Sequence, residues 1–389
     1  MHKHLAIFDT TLRDGLQTPG LPPITRDARV EIALMLERMG VDVIEAGFPI
    51  SSEENFKSVE AVAKAVSKST VCALAMATEE SVECAARALA WAPRARVHIF
   101  LGSSTTHLSR MHLNQAEMLE RTQRIIRHAV VRCGFGEIEF SPEDAGRTDF
   151  DFLCRVVEAA ISAGARIINI PDTVGYCMPH EYGERIRSII DRFPNFDVVW
   201  SVHCHDDFGC ATANSLMGVI AGARQVECTM YNIGERAGNA ALEEIVMAVR
   251  RRQDVFSCDT RIDATMFWEA ARLVENITKV SIPRNKAVVG ENAFAHESGI
   301  HQDGVLKNPT TYEVMRPDEV GWQGRSLPLG PQSGRHALAE RLKKLKIELN
   351  TNAFTEMFAR FKTYADEHGQ VSDEALYMLS EHLRTSNIA

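Results

Sequence analysis

A chain of 389 residues with 45% hydrophobic and 24% charged side chains has ordinary globular proportions and is long enough to bury one large core and a smaller one. Its net charge of −9 argues against nucleic acid as the main partner, which calls for a basic face, and no apolar run approaches the ~20 residues of a membrane span. Nine cysteines, an odd number without CxxC pairs, fit reduced thiols, and Met1-His2-Lys3-His4 leads into an apolar strand without a secretory signal, so a cytoplasmic protein is expected.

The first element is the apolar run Leu5-Ala6-Ile7-Phe8, of strand length, which ends in Asp9-Thr10-Thr11-Leu12-Arg13-Asp14-Gly15. Gly15 permits a backbone turn that aims Arg13 and Asp14 together. Thr25 then reads as a helix N-cap, with apolar residues at Ala28, Ile32, Met35, Leu36 and Met39 and a stop at Gly40. Residues 41–48 are again strand-like, with Glu45 and Gly47 inside the apolar run, and Ser51-x-x-Glu54 reads as a capping box. Six more strand-length runs follow, at 71–76, 96–101, 137–140, 166–170, 198–205 and 226–233, each before a helix-like segment. Alternating βα units demand parallel pairing, and eight of them in about 250 residues predict a closed (β/α)8 barrel over 1–258. A doubly wound open sheet is the runner-up, but the GxGxxG turn that would favour it is missing after the first strand. The rhythm then stops, and 259–389 reads as a smaller, mostly helical appendage.

Barrels place their chemistry at the C-terminal ends of the strands. The seventh run ends in Ser201-Val202-His203-Cys204-His205-Asp206-Asp207, where the strand period of two puts His203 and His205 on one face. Two imidazoles in an apolar run are costly unless paired or bound, so the choice lies between a hydrogen-bonded structural pair and a metal site. Asp14 tips it towards a divalent cation with open positions for an oxygen-rich substrate. The eighth run ends in Ile233-Gly234-Glu235-Arg236-Ala237-Gly238-Asn239, which reads either as a turn presenting the Asn239 amide oxygen to that cation or as a plain glycine-rich turn with a helix cap. Ser141-Pro142-Glu143-Asp144 and Pro171-Asp172-Thr173 close the fifth and sixth runs with further polar groups.

The segments FDTTLRDG, EAGFPISS, EFSPEDAGRT, NIPDTVGY, SVHCHDD, GERAGN and GIHQDGVLKNPTTYEVM together resemble the isopropylmalate and homocitrate synthase family of metal-dependent, acetyl-CoA-condensing barrels, the isopropylmalate synthases above all. That resemblance implies Claisen-type condensation of acetyl-CoA with a 2-oxo acid, to a 2-alkylmalate, in leucine biosynthesis. It implies a metal site of Asp14, His203, His205 and Asn239 holding Mn2+, with Mg2+ or Zn2+ as alternatives. Arg13 would polarise the reacting carbonyl or enolate and Thr173 would hold the substrate carboxylate, while His98, Ser141 and Glu143 match further active-site positions. His301 and Tyr312 match acid–base positions that reach over a partner's barrel, which implies a homodimer. With the chain stopping at Ala389, a leucine-regulatory domain is expected to be absent. Two rivals stand beside this reading: a lyase running similar chemistry backwards, whose version of the first motif is spelled by Arg13-Asp14-Gly15-Leu16-Gln17, and a non-catalytic relative. Those lyases carry a cysteine in a glycine-rich loop near the eighth strand, where this chain has GERAGN. Leu16, Met76 and Tyr231-Asn232 depart from the synthase pattern. Leu16 and Met76 replace an acid and a base, which predicts a more apolar pocket: 2-oxoisovalerate is the first expectation, and 4-methyl-2-oxovalerate or phenylpyruvate the bulkier alternatives.

Overall fold

The computed structural model describes residues 3–324 and 327–385. Eight parallel strands close into a barrel: β1 (Ala6–Asp9), β2 (Val43–Glu45), β3 (Thr70–Met76), β4 (Ala95–Gly102), β5 (Glu137–Glu143), β6 (Ile167–Asp172), β7 (Val199–Cys204) and β8 (Gln225–Cys228), with β8 pairing back onto β1. The open-sheet alternative is thereby excluded. Between them run helices such as Arg26–Met39, which Thr25 caps through the Ala28 N–H and Gly40 closes in the left-handed region. The next helix, Glu53–Ala65, is capped by Ser52 rather than Ser51, whose hydroxyl instead donates to the Phe48 carbonyl in a 3-10 turn.

Alternation sorts the strand residues into two environments. Ile7, Ile44, Val71, Val97, Ile138, Ile168, Val202 and Val226 are fully buried on the outward face, under the helices. The inward face begins with an apolar plug of Phe8, Val43 and Cys72 and also carries a layer of polar groups. Arg96 donates to Glu137, Glu139 and Gln225, and Gln225 donates to Glu139 and Ser201. Barrel interiors are ordinarily filled by branched apolar side chains. Here buried charge is tolerated because almost every group finds a partner, and this polar layer is the floor on which the site is built.

The chain divides into two compact units, Met1–Ile282 and Pro283–Ala389. The sequence-based line after 258 falls inside the short strand Cys258–Asp259, which pairs in parallel with Lys3–His4, and the helix Phe267–Thr278 packs on Arg26–Met39. In the second unit the helices Arg335–Lys344, Thr351–His368 and Asp373–Thr385 enclose a core of Leu338, Leu342, Met357, Phe361 and Leu376. All nine cysteines are free thiols, and no helix among the described residues is long and apolar enough to cross a membrane.

Candidate active site

Beyond β1 the chain turns sharply, so that Asp14 precedes the 3-10 turn Gly15–Gln17 at the mouth of the barrel. Its carboxylate accepts from the Arg13 guanidinium at 2.5 Å and from Asn239 Nδ2 at 2.7 Å. His203, inside β7, and His205, just past it, meet Nε2 to Nε2 at 3.1 Å with their rings nearly perpendicular, and His205 Nε2 is 3.7 Å from Asp14 Oδ2. Burial pulls both imidazoles down to about 4, so each is neutral and carries a lone pair. Asp14 is held well below the usual carboxylate range: burial opposes this, but Arg13 and the two histidines outweigh it.

One carboxylate oxygen and two imidazole nitrogens therefore lie within 4.8 Å of one another, all buried. Asn239 Oδ1 and His205 Nδ1 have no hydrogen-bond partner among the described residues, and His203 Nδ1 is 2.9 Å from Glu227 Oε2 but out of line for a hydrogen bond. Neutral nitrogens, an ionised oxygen and an orphaned amide oxygen are a donor set that a divalent cation fits.

The turn that brings Asn239 here depends on Gly234, whose φ is +157° and where a Cβ would lie 2.1 Å from Asn239 Nδ2 and 2.8 Å from Asp14 Oδ1. Gly234→Ala is expected to displace both side chains and weaken divalent-metal affinity by about 10- to 100-fold, as losing an orienting partner typically does. Titration calorimetry with Mn2+ reads this directly, and wild-type affinity in the variant would show that the turn does not set the site.

Arg13 is gripped from below as well. Its Nε donates to Glu45 Oε2 at 2.6 Å, where Thr10 also donates, and Glu45 Oε1 lies 2.8 Å from His98 Nδ1. Burial pushes Glu45 up, yet Arg13 and His98 outweigh it and bring its pKa to about 2. Burial likewise opposes charge on His98, but Glu227 and Glu45 raise it to about 9. His98 Nε2 at 2.7 Å and Asn169 Nδ2 at 2.8 Å both address the Ser141 hydroxyl oxygen, which leaves the Ser141 O–H to donate into the cleft. Thr173 Oγ1 accepts from the Asp144 N–H at 2.9 Å and is freed to donate in the same way.

These groups open onto a cleft of about 270 Å³ lined by Arg13, Asp14, His98, Ser141, Glu143, Thr173, His203 and His205, eight of the residues singled out from the sequence. Asn239 stands behind Asp14 rather than on the wall. Leu16 and Met76 are absent from the lining, so the pocket argument built on them needs correction. Met76 is the last residue of β3 and 40% exposed, having passed the rim, while Leu74, two residues earlier on the same face, points into the cleft. Gln17 lines the cleft in place of Leu16. Tyr231 is buried elsewhere, its hydroxyl 3.2 Å from Thr278 Oγ1 and the Val280 carbonyl. The apolar wall is made instead by Phe48, Leu74, Phe100 and Pro171. His301 and Tyr312 belong to the second unit, where their rings pack at 4.2 Å and Tyr312 is 43% exposed. Sequence reasoning missed Glu45, Asn169 and Glu227; an acid in the middle of the apolar run 41–48, beyond Asp42 at its start, was the available signal for Glu45.

Comparison with known proteins agrees with this architecture. Residues 4–274 match the HMGL-like family and 288–369 match the homocitrate synthase post-HMGL domain-like family. The 2-isopropylmalate synthases of Aromatoleum aromaticum and Nitrosomonas europaea are each 53% identical over 382 residues, 97% of this chain and 74% of theirs. That of Ruthia magnifica is 50% identical over 388 residues, 99% of this chain and 75% of its own. Among solved structures, the HMG-CoA lyase of Bacillus subtilis superposes with a TM-score of 0.60 at 20% identity, covering 72% of this chain and 96% of the lyase. The carboxyl transferase domain of Rhizobium etli pyruvate carboxylase gives 0.53 at 16%, covering 98% of this chain and 61% of that one. At such identities the two structures speak for the fold alone. With half of all residues shared along both units, the chain belongs to the HMGL-like family and, within it, to the 2-isopropylmalate synthases.

Proposed function

We propose that the protein condenses acetyl-CoA with a 2-oxo acid, 2-oxoisovalerate first among them, to a 2-alkylmalate with release of CoA, in the cytoplasm and as a step of branched-chain amino-acid synthesis. The observation that carries this is the juxtaposition of a cation-fitting donor set with a clamped guanidinium, in one cleft whose floor supplies oriented hydroxyl donors. A divalent ion held by Asp14, His203, His205 and Asn239, Mn2+ first with Mg2+ or Zn2+ as alternatives, would supply Lewis acidity at the 2-oxo group.

The remaining roles fall to the chain's own residues. Ser141 and Thr173, whose oxygens already accept hydrogen bonds, donate to the substrate carboxylate and fix its orientation. Glu143, on the cleft wall, takes a proton from the acetyl methyl group. The resulting carbanion forms a bond to the 2-oxo carbon, and the carbonyl electron pair moves onto oxygen, where Arg13 is placed to stabilise it. Protonation gives the alcohol, and attack of water on the thioester expels the CoA thiol. His301 and Tyr312 enter the proposal as acid–base groups acting in a homodimer. Phe48, Leu74 and Phe100 give the substrate's side chain an apolar wall, which keeps 4-methyl-2-oxovalerate and phenylpyruvate in view as bulkier substrates. One added methylene in such a wall changes selectivity by only ~1–3 kcal/mol.

The test is thiol release from acetyl-CoA with each of the three acids, with products identified by mass. Condensation with 2-oxoisovalerate is expected, with kcat/KM for the other two ranking the pocket. Cleavage of a 3-hydroxyacyl-CoA without any condensation would establish the lyase instead, and bound metal without turnover a non-catalytic relative.

A further inference from the structure

His107 takes no part in the condensation as just described, yet several features of the chain converge on it. It sits in the short helix Thr105–Arg110 that follows β4, where the Ser104 hydroxyl caps the helix by accepting from the His107 N–H. The strand ends in Gly102, and a Cβ there would lie 2.5 Å from the His107 Cβ, so only a bare backbone lets the imidazole rest against the strand end. From that position the ring reaches two consecutive acids with opposite nitrogens: Nδ1 is 3.2 Å from Asp144 Oδ2, with the Ser104 hydroxyl also 3.0 Å from it, and Nε2 is 3.6 Å from Glu143 Oε1. A neutral imidazole would turn a lone pair towards one of these carboxylates, whereas an imidazolium faces both with a proton.

Asp144 is itself unusual. It is buried, and its φ of +66° is a left-handed conformation that costs a non-glycine residue about 1 kcal/mol or more unless its surroundings hold it. Arg147 holds it through Nε to Oδ1 at 2.9 Å and Nη2 to Oδ2 at 2.8 Å, and His107 Nδ1 approaches that same Oδ2. In that conformation the Asp144 N–H points at Thr173 Oγ1, while the preceding residue, Glu143, faces the cleft.

We propose that His107 is a positioning residue: as a cation set between Asp144 and Glu143, it fixes the carboxylate of Glu143 at the cleft wall and, through the Asp144 backbone, the hydroxyl of Thr173. The proposal rests on the condensation reading for the roles of Glu143 and Thr173, but the geometry stands without it. Hydrogen bonding to Asp144 and then to Glu143 raises the His107 pKa to about 9, so the ring is charged at neutral pH. The charged groups facing it are Asp144 and Glu143, with the Arg147 guanidinium sharing Asp144 Oδ2 with it; the two acids outweigh that cation.

Two variants separate charge from bulk. His107→Phe keeps a ring against Gly102 but removes both donors, and His107→Gln keeps an amide donor without charge. At neutral pH kcat is expected to fall about tenfold in His107→Phe and less in His107→Gln, with acetyl-CoA KM nearly unchanged. Independently of turnover, nitrogen NMR of labelled histidines should find His107 still protonated at pH 8 in the wild type and neutral in Asp144→Asn. A kcat that stays at its wild-type value in both variants, or a His107 that is neutral at pH 8, overturns the proposal. Absence of condensation by the wild type would instead remove the functional reading, leaving the NMR result to decide whether the clamp exists.

Discussion

Asp14→Ala is expected to abolish divalent-metal binding and to lower turnover by about 10³-fold or more, while the barrel melts within a few degrees of the wild type. The size follows from what is lost: a Lewis acid contributes several kcal/mol of transition-state stabilisation, and each ~1.4 kcal/mol is tenfold in rate. Asp14 also holds Arg13 and Asn239, so its removal loosens the guanidinium proposed to stabilise the oxyanion together with the orphaned amide. Stability should suffer little, because the residue stands past the end of β1 at the barrel mouth and Arg13 keeps Glu45 as its second partner. His203→Ala and exhaustive chelation should give the same loss, with activity returning only when Mn2+ or another divalent ion is added to the chelated wild type. Full turnover in a metal-free preparation would defeat the assignment. The same variant tests the homodimer: mixing Asp14→Ala with His301→Ala subunits should recover part of the activity if the two residues serve one site from different chains, and no recovery after subunit exchange counts against that arrangement.

Some of this site could be read from residue order and some could not. His203 and His205 were legible because a strand's period of two fixes their common face whatever the rest of the fold does. Arg13 and Asp14 were legible because charge gathers within a few residues of the end of an apolar run. Strand lengths were less so. The run 226–233 is strand only at Gln225–Cys228, because Tyr231 and Asn232 adopt positive φ and turn the chain into the loop that delivers Asn239. The choice of Leu74 over Met76 was beyond reach: both lie on the inward face, and only the height of the rim decides which enters the cleft. Glu45 and Arg13 are 32 residues apart, and their pairing exists only once β1 and β2 lie side by side. His107 needed three distant facts at once, a bare Gly102, a left-handed Asp144 and the register of β4 against β5 that sets Gly102 beside Glu143.

The largest loss of stability is expected from Glu45→Ala. Glu45 is completely buried at the centre of the floor and is shared by three donors, Arg13, His98 and Thr10. Arg13 keeps Asp14 after the change, but the imidazolium of His98 loses its hydrogen-bonded carboxylate and is left with Glu227, 3.8 Å away, and Glu139, within 4.8 Å. Removing one partner of a buried charged pair typically costs ~3–5 kcal/mol, because the other charge stays desolvated. For a unit of this size that corresponds to a drop in Tm of roughly 10 °C. The pH dependence has a definite sign. The Glu45 pKa is depressed in the folded protein, from its usual 4.5 to about 2, so its contribution is fully present above 4.5 and is lost as pH falls towards 2. Urea unfolding of wild type and variant should therefore show a wide gap at pH 7 that narrows by pH 3. Glu45→Gln keeps the shape and one acceptor, and should fall between the two at pH 7. A gap of equal width at both pH values would mean that the loss comes from an emptied volume rather than a missing charge, and the barrel floor would then owe its stability to packing instead of to the Arg13–Glu45–His98 chain.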